Sequence, residues 1–230
     1  MNRGLFITGT DTGVGKTWIT AGLLAALRAQ GLRACGMKPI ATGCMATPHG
    51  LRNEDALRLQ GESASPASPY ELINRYAFAP AASPHLAAQM TGEHIDTALI
   101  RADLRQLAGQ SDYVLVEGVG GWHTPINEDE TIADLARVLD LPVVLVVGIR
   151  LGCINHALLS SDAIEESGIA LAGWIANVVS PDMALIEGNI DTLRGHIAAP
   201  LLGTVPSLPA FDAERIGGFL ETRPLCAGMF

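Results

Sequence analysis

The segment Gly9–Thr17, with the sequence GTDTGVGKT, has the residue types of a phosphate-binding loop. It stands between a short apolar run, Leu5–Thr8, and an amphipathic stretch, Lys16–Ala29, which is the strand-to-helix context that such a loop requires. Its glycines let backbone N–H groups point inward, Lys16 can reach the β- and γ-phosphates, and the Thr17 hydroxyl can bind Mg²⁺. Five residues, rather than the usual four, separate the first glycine from the Gly-Lys pair. The segment therefore predicts a nucleotide site in a lengthened variant of the loop.

Three further charged residues lie where strands end or helices begin. Glu117 ends an apolar strand, Tyr113–Val116, so we expect its carboxylate at the nucleotide edge of a sheet, placed to bind Mg²⁺ directly or through water. Without the phosphate loop, a helix cap or a solvated acid would be the simpler explanation. Lys38 ends a second strand before Pro39. Asp55 opens a helix, where acids are common because of the helix dipole, so its position alone favours a capping role.

Short apolar runs alternate with longer amphipathic stretches along the chain. The predicted strands are Leu5–Thr8, Arg33–Lys38, Tyr113–Val116, Pro142–Val147, Ala172–Val178 and Leu201–Val205. The predicted helices are Lys16–Ala29, Asn53–Leu59, Ile95–Leu107, Thr131–Leu139, Ile154–Glu166, Met183–Ile197 and a weak one near Ala213–Glu221. The proline-rich segment Gly61–Ser83 predicts an excursion across the surface or an edge.

Apolar strands separated by helices favour a parallel, doubly wound sheet with helices on both faces. We therefore expect one α/β domain of the phosphate-loop NTPase type over residues 1–230. Ligands of such sheets bind beyond the carboxyl ends of the strands, which is where the phosphate loop, Lys38 and Glu117 follow their strands.

The composition excludes several classes of protein. Hydrophobic residues make up 48% and charged residues 17% of the 230 residues, which argues against intrinsic disorder. The net charge of −9 disfavours nucleic acids and anionic membrane surfaces as partners. The four cysteines form no C-x-x-C pair, and we find no secretory signal or membrane-spanning run, so we expect a soluble, cytoplasmic protein with reduced thiols.

Several segments together resemble the dethiobiotin synthetase family. They are Thr8–Thr17, Met37–Pro39, Gly50–Asp55, Ser83–His85, Val116–Trp122, Leu151–His156 and Gly173–Asn177. The resemblance runs in order from about Gly4 to Pro206, whereas residues 207–230 match poorly. The segments around Lys38, Glu117 and Leu151 are far more specific than the phosphate loop.

The resemblance implies an ATP- and Mg²⁺-dependent closure of the ureido ring in biotin synthesis. One amine of 7,8-diaminopelargonate (7,8-diaminononanoate) would take up CO2, drawn from dissolved CO2 or bicarbonate, as a carbamate. ATP would phosphorylate the carbamate to a carbamic–phosphoric anhydride, and the second amine would close the ring, with release of ADP and phosphate. It further implies a homodimer with the site at the subunit interface.

The resemblance also implies roles for individual residues. Lys16, Lys38 and Thr12 would be catalytic, with the two lysines around the carbamate and the γ-phosphate. Thr17, Asp55 and Glu117 would bind Mg²⁺, which moves Asp55 from cap to metal ligand. The nucleotide contacts would be Gly13, Val14, Gly15, Lys16, Thr17, Asp55, Glu117, Gly118, Gly120, Asn177, Pro206, Ser207 and Leu208. The substrate contacts would be Thr12, Lys38, Thr42, Gly152, Cys153, Ile154 and Asn155.

Two of these groups have more specific implied roles. Asn177 would read adenine through its side-chain amide, and residues 206–208 would cover the base. The backbone of Gly152–Asn155, at a helix N-terminus of the other subunit, would hold the substrate carboxylate. Gly13 departs from the family, in which many members carry Glu, and the change could loosen the loop or alter its nucleotide preference.

Two alternative functions share the fold class. A dimeric ATPase switch with a deviant phosphate loop would place a second lysine early in the loop, where this chain has Asp11. A cobyrinate-type synthetase would be expected beside a glutaminase domain, and the segment Leu151–Asn155 fits it less well. Whether ATP turnover requires the diamine and CO2 distinguishes these alternatives.

Overall fold

The computed structural model describes residues 4–64 and 68–226. Its strands are β1 (Gly4–Gly9), β2 (Ala34–Met37), β3 (Ile40–Ala41), β4 (Met45–Thr47), β5 (Gly50–Arg52), β6 (Tyr76–Ala77), β7 (Tyr113–Glu117), β8 (Val143–Ile149), β9 (Leu171–Val178) and β10 (Leu201–Val205). Its helices are α1 (Lys16–Ala29), α2 (Glu54–Glu62), α3 (Tyr70–Ile73), α4 (Pro84–Thr91), α5 (Thr97–Ala108), α6 (Ile132–Leu139), α7 (Cys153–Glu166), α8 (Ile186–His196), α9 (Ala213–Gly217) and α10 (Arg223–Cys226). Over the described ranges, no helix has the length and apolar character needed to cross a membrane.

Six strands form one parallel sheet in the order β10-β9-β8-β1-β7-β2. Because successive side chains of a strand point to opposite faces, Phe6 of β1 packs into one core layer while Leu5 and Ile7 pack into the other. Apolar residues of α1 and α9 complete the layer around Ile7, and those of α5–α8 complete the layer around Phe6. The predicted doubly wound sheet is confirmed.

The predicted strands of the sheet and the long helices are confirmed, with shifts at some ends. α1 and β10 have the predicted bounds. α8 begins at Ile186 rather than Met183, because Leu185 has a left-handed φ of 58° that a right-handed helix cannot contain. α9 ends at Gly217, short of the predicted Glu221.

The prediction for Gly61–Ser83 is only partly right. The segment lies outside the six-stranded sheet, but its described residues include α3 and β6, and β6 pairs in parallel with β3. Its apolar side chains enter the core, namely Tyr70, Ile73, Tyr76 and Phe78. Aromatic and isoleucine anchors between the prolines therefore outweigh the loop-like composition, because burying them stabilises the fold. Residues 65–67 lie outside the described residues.

The sequence analysis did not predict α4 or the antiparallel hairpin of β4 and β5. α4 has ordinary end signals, with Pro84 in its first turn and Gly92 in a left-handed conformation just after its end. The hairpin is short, and its first strand is exposed, so it lacks the apolar alternation that marks longer strands.

Candidate active site

The phosphate loop joins β1 to α1 at the carboxyl edge of the sheet. Gly15, immediately before α1, has φ 87°, and a Cβ atom there would lie 2.2 Å from the Asn177 Nδ2 atom, so both the backbone and the available space require glycine. Gly13 also has a left-handed φ, 75°, but a Cβ atom there would meet nothing within 4 Å. α1 starts at Lys16 without a side-chain cap or an acidic first turn, which leaves its positive end available to an anion.

Lys16 is buried, and its ammonium group contacts neutral acceptors. Its Nζ atom donates to the carbonyl oxygens of Asp11 at 2.8 Å and Gly120 at 2.7 Å. Burial lowers the pKa of Lys16 from the usual 10.5 to about 8, and the nearby positive charge of Lys38 adds to that effect. A cation without a carboxylate hydrogen-bonded to it is suited to meet an incoming phosphate.

Lys38, directly after β2, and Glu117, the last residue of β7, form a buried ion pair. The Lys38 Nζ atom donates to Glu117 Oε1 at 2.6 Å and lies 3.0 Å from Asp55 Oδ2. The Thr17 hydroxyl also donates to Glu117 Oε1, at 2.8 Å. The ends of β2 and β7 and the first turns of α1 and α2 thus bring together four residues that are distant in the chain. We call Thr17, Lys38, Asp55 and Glu117 the carboxylate cluster.

The charges of this cluster reinforce one another. Burial alone would lower the pKa of Lys38, but the carboxylates of Glu117 and Asp55 outweigh burial and raise it above 10.5. Burial alone would raise the pKa of Asp55, but the charge of Lys38 and hydrogen bonds from Lys38 and Thr17 lower it below 3.8. Lys38 is therefore a permanent cation, and Asp55 a permanent anion, at physiological pH.

The oxygen atoms of the cluster fit a magnesium ion. Glu117 Oε2 is buried and has no hydrogen-bond partner, which is costly for a carboxylate oxygen unless a ligand approaches it. Thr17, Asp55 and Glu117 supply the hard oxygen ligands that Mg²⁺ prefers. Over residues 4–64 and 68–226, no group of three or more His, Cys, Asp or Glu side chains could hold a metal by itself. A Mg²⁺ ion here would therefore complete its shell with water and phosphate oxygens, as Mg²⁺ usually does.

A pocket of about 360 Å³ contains most of the predicted site. Of the predicted residues, it is lined by Thr12, Gly13, Gly15, Lys16, Thr17, Lys38, Thr42, Asp55, Glu117 and Gly120. It is also lined by Trp18, Asn53 and Val119, which the sequence analysis did not identify. A larger, open cleft of about 1060 Å³ beside α1 and α9 contains none of the predicted residues.

The structure corrects the capping interpretation of Asp55. Asn53 caps α2 instead, because its Oδ1 atom accepts the Ala56 N–H at 3.2 Å. The Asn53 Nδ2 atom also donates to the Thr42 carbonyl at 3.4 Å, which joins the cap to the pocket wall. The cap at Asn53 leaves the Asp55 carboxylate free to pair with Lys38.

The predicted nucleotide contacts outside the pocket fall into two groups. Val14 and Gly118 are buried behind the loop, where the Val14 carbonyl accepts from Asn177 Nδ2 at 2.8 Å and the Gly118 N–H donates to Ile7 at 2.9 Å. Asn177 is thus already bonded to the loop through one amide hydrogen. Residues 206–208 follow β10 at the same edge of the sheet, with Pro206 and Ser207 exposed and Leu208 packed partly against the core.

The predicted substrate segment Gly152–Asn155 forms the beginning of α7, outside the pocket. Gly152 has φ 92° and precedes a helix without a side-chain cap or an acidic first turn. Cys153 is buried and its Sγ atom lies 4.0 Å from Asn189 Oδ1 of α8. Within one copy of the chain, this segment does not line the pocket that contains Lys16 and Lys38.

Comparisons with known proteins identify the family. A family model described as "AAA domain" matches residues 3–215. ATP-dependent dethiobiotin synthetase BioD of Pseudomonas paraeruginosa is 52% identical over 225 residues, which cover 97% of this chain and 98% of that protein. The enzymes of the same name from Cellvibrio japonicus and Xylella fastidiosa strain Temecula1 are 48% and 50% identical, covering 97% and 89% of this chain and 97% and 90% of their own lengths.

Solved structures with lower identity share the fold alone. The MinD cell division protein of Aquifex aeolicus matches with a TM-score of 0.56 and 18% identity over 94% of this chain and 86% of that one. A ParA family ATPase from Chlorobium tepidum matches with a TM-score of 0.56 and 14% identity over 99% and 92%. With about half of its residues identical over nearly its full length, the chain belongs to the ATP-dependent dethiobiotin synthetases, which are ligases of biotin biosynthesis.

Proposed function

We propose that this chain converts 7,8-diaminopelargonate, CO2 and ATP into dethiobiotin, ADP and phosphate. The observation that carries the proposal is the buried Lys38–Glu117 pair, with Asp55 and Thr17, next to a phosphate-loop lysine whose own partners are neutral. That arrangement supplies two cations and an oxygen-rich site at the place where a carbamate would meet a γ-phosphate. Positioning and charge neutralisation dominate such phosphoryl transfers.

The reaction needs no protein nucleophile. One substrate amine attacks the carbon of CO2 and loses a proton, which gives a carbamate. A carbamate oxygen attacks the γ-phosphorus and ADP leaves. The second amine attacks the carbonyl carbon and loses a proton, and phosphate leaves as the ring closes.

The two lysines act on the charge that these steps create. Lys16 exchanges its carbonyl partners for phosphate oxygens, and this exchange favours its protonated form because a phosphate is anionic. Lys38 keeps its charge through its carboxylate partners and stabilises the carbamate and the anhydride. A bound Mg²⁺ ion, held by Thr17, Asp55 and Glu117, would neutralise the β- and γ-phosphates. Thr12 and Thr42, both on the pocket wall, contact substrate and phosphate through their hydroxyl groups.

The remaining site residues bind the phosphates and the base of the nucleotide and the carboxylate of the substrate. Gly13–Thr17, Gly118 and Gly120 bind the phosphates through the loop and the strand end, and Asn177 with residues 206–208 binds the base. Gly152–Asn155 of a second copy holds the substrate carboxylate, which makes the functional unit a homodimer of one-domain chains. Large exposed apolar side chains next to or within α7 and α8 support such an interface, namely Leu151, Leu159 and Leu185.

Two broader features support a biosynthetic role in the cytoplasm. Three cysteines, Cys35, Cys44 and Cys153, are free and buried, as expected in a reducing compartment. The net charge of −9 makes nucleic acids and anionic membranes poor partners.

The test measures phosphate release with Mg·ATP and bicarbonate, with and without 7,8-diaminopelargonate, and follows the product by mass spectrometry. We expect phosphate release only with the diamine, and a product heavier than the diamine by a carbonyl unit less two hydrogens. Equal turnover without the diamine would instead favour an ATPase switch, and no turnover in either case would require another substrate. Lys16→Ala is the matched inactive control, because it removes the loop cation.

A further inference from the structure

Arg150 joins the phosphate loop to β8, a strand that pairs with β1 in the main sheet. It directly follows Ile149, the last residue of that strand, and its Nη2 atom lies 2.5 Å from Asp11 Oδ2 of the loop. The Arg150 carbonyl accepts the Cys153 N–H at 3.0 Å, and the Ile149 carbonyl accepts the Ser180 N–H at 3.3 Å. The guanidinium therefore extends from a well-anchored backbone and adds a side-chain contact to a loop that Asn177 also holds, through the Val14 carbonyl.

Asp11 connects this guanidinium to two functional parts of the loop. Its Oδ1 atom accepts the Thr12 N–H at 2.7 Å, and its carbonyl oxygen accepts from Lys16 Nζ at 2.8 Å. The Thr12 N–H lowers the pKa of Asp11 below 3.8, against the opposing effect of burial, and Arg150 lowers it further. Asp11 is therefore an anion within a loop that is built to receive anions.

An uncompensated carboxylate at this place would repel a nucleotide. Like charges a few ångströms apart destabilise each other, and a triphosphate carries several negative charges. Arg150 removes this conflict in two ways, because its charge offsets that of Asp11 and its hydrogen bond fixes the position of Oδ2. Lys16 and the exposed His156 of α7 are other basic side chains that interact electrostatically with Asp11.

We infer that Arg150 is a positioning residue for nucleotide binding that acts through Asp11, an inference that rests on the proposed role of the loop. Among the described residues, Arg150 is not one of those that line the pocket containing Lys16 and Lys38. It holds Asp11 in the conformation that orients Thr12 and receives Lys16, and it cancels the charge that would oppose the phosphates.

The experiment measures the Kd of a non-hydrolysable Mg·ATP analogue for the wild-type protein and for a set of single and double variants. We expect Arg150→Ala to raise Kd about threefold to tenfold, the range of a well-oriented but half-exposed charged pair. Arg150→Lys should restore most of the affinity, because it returns the positive charge. The planar fork of the guanidinium is lost, so the recovery should be incomplete. Arg137→Ala, which removes a surface ion pair of 2.7 Å on α6, is the matched control and should leave Kd unchanged.

The decisive measurement is the double-mutant cycle with Asp11→Asn. If Arg150 acts through Asp11, adding Arg150→Ala to Asp11→Asn changes Kd by less than about twofold. An equal loss in both backgrounds would mean that Arg150 binds the nucleotide directly, and an unchanged Kd for Arg150→Ala would remove its role; either result overturns the inference.

Folding and the wider proposal are tested separately. Thermal melting of each variant distinguishes lost binding from lost structure, and Arg150→Lys serves if Arg150→Ala melts below the assay temperature. We expect KM for ATP to rise more than KM for the diamine, which Arg150 affects only through Thr12, and general destabilisation would not produce this separation. Equal binding of the analogue by the wild-type protein and by Lys16→Ala would contradict the proposed nucleotide site. If Lys16→Ala weakens binding but the double-mutant cycle gives one of the overturning results, the nucleotide site is supported and only the role of Arg150 is contradicted.

Discussion

The phosphate loop and the carboxylate cluster place two lysines in opposite environments at the same edge of the sheet. Lys16 and Lys38 are the only lysines in the chain, and the rest of its 15 Lys and Arg residues are arginine. Both are buried, but Lys16 donates to main-chain carbonyls whereas Lys38 donates to carboxylates. The pKa of the first is therefore lowered and that of the second is raised.

Because their hydrogen-bond partners differ, the two lysine side chains can perform two different tasks. The environment of Lys16 lacks a directly bonded anion, so an arriving phosphate supplies the missing charge. The environment of Lys38 already contains its anions, so the cation is fixed in place before substrate binds, and such preorganised charge is what stabilises a transition state best. The following predictions test this contrast.

Lys38→Gln should give the largest effect. We expect ring closure to fall about 100-fold to 1000-fold, because a preorganised charge is lost at the place where carbamate and phosphoryl charge develops. Binding of a Mg·ATP analogue should fall far less, because Lys16 and the loop remain. The measurement pairs dethiobiotin formation with the analogue's Kd.

Two controls accompany that variant. Arg137→Gln removes a surface cation from α6, where Arg137 pairs with Asp134 at 2.7 Å, and should leave both quantities unchanged. Lys38→Arg keeps the charge and should recover only part of the rate, because the guanidinium has a different shape and donor pattern. Normal product formation by Lys38→Gln would exclude Lys38 from the mechanism.

Glu117→Gln should give the next largest effect, about 100-fold on product formation. The amide oxygen can still accept from Lys38 and Thr17, but the variant replaces the oxygen that has no partner, Oε2, with an amide nitrogen and removes the negative charge beside Lys38. We expect the rate to need more Mg²⁺, because a neutral amide is a poorer ligand than a carboxylate. A titration of rate against Mg²⁺ concentration measures this shift, with Glu54→Gln on the surface of α2 as control. An unchanged Mg²⁺ requirement would contradict the metal assignment.

The sequence predicted most of the frame that positions these lysines. Apolar runs identified every strand of the main sheet, and the Gly-Lys-Thr pattern after β1 identified the loop, because both signals are local. The hydrogen bonds of the carboxylate cluster are not local, since Lys38 is 79 residues and Thr17 is 100 residues from Glu117. The sequence placed these residues at the same edge of the sheet, but only the strand order makes β2 and β7 neighbours.

The residues that the sequence analysis missed share a physical cause. Asn53 is an ordinary helix cap by its type, and no local pattern shows that its amide also reaches the Thr42 carbonyl. Arg150 likewise follows a strand without a motif, and its pairing with Asp11 joins residues 139 positions apart. Spacing alone assigned Asp55 to capping because it does not show that Asn53 already satisfies the helix end.

Substitutions at Gly13 and Gly15, the two loop glycines with a left-handed φ, should have smaller and unequal effects. Gly15→Ala combines left-handed backbone strain, about 1–2 kcal/mol, with a clash against the Asn177 amide that breaks its bond to Val14. We expect the Kd of a Mg·ATP analogue to rise at least about tenfold. Gly13→Ala carries the strain without the clash and serves as the matched control. Equal effects would mean that the contact between Gly15 and Asn177 does not shape the loop.

The smallest effect needs no substitution. We expect kcat/KM for ATP to fall about twofold from its neutral value by pH 8, because about half of Lys16 has then lost its proton. Over the same interval Lys38 stays charged. Rate measurements from pH 6.5 to 9 with saturating diamine test this expectation, and a flat profile through pH 8 would contradict it.

Nuclear magnetic resonance can observe the two lysines directly, because ¹³C labelling of the lysine ε-carbons gives only two side-chain signals. One signal should titrate near pH 8 and the other above 10.5, and Lys16→Arg assigns them by removing the first. Between pH 8 and 10.5 the unfolded chain holds the Lys16 proton more tightly than the folded chain, so the contribution of Lys16 to the free energy of unfolding rises with pH. The contribution of Lys38 is present below pH 10.5 and is lost as the pH rises through its higher folded pKa. Two signals that titrate together near 10.5 would show that carbonyl and carboxylate partners do not distinguish the lysines, and the division of tasks between them would have no electrostatic basis.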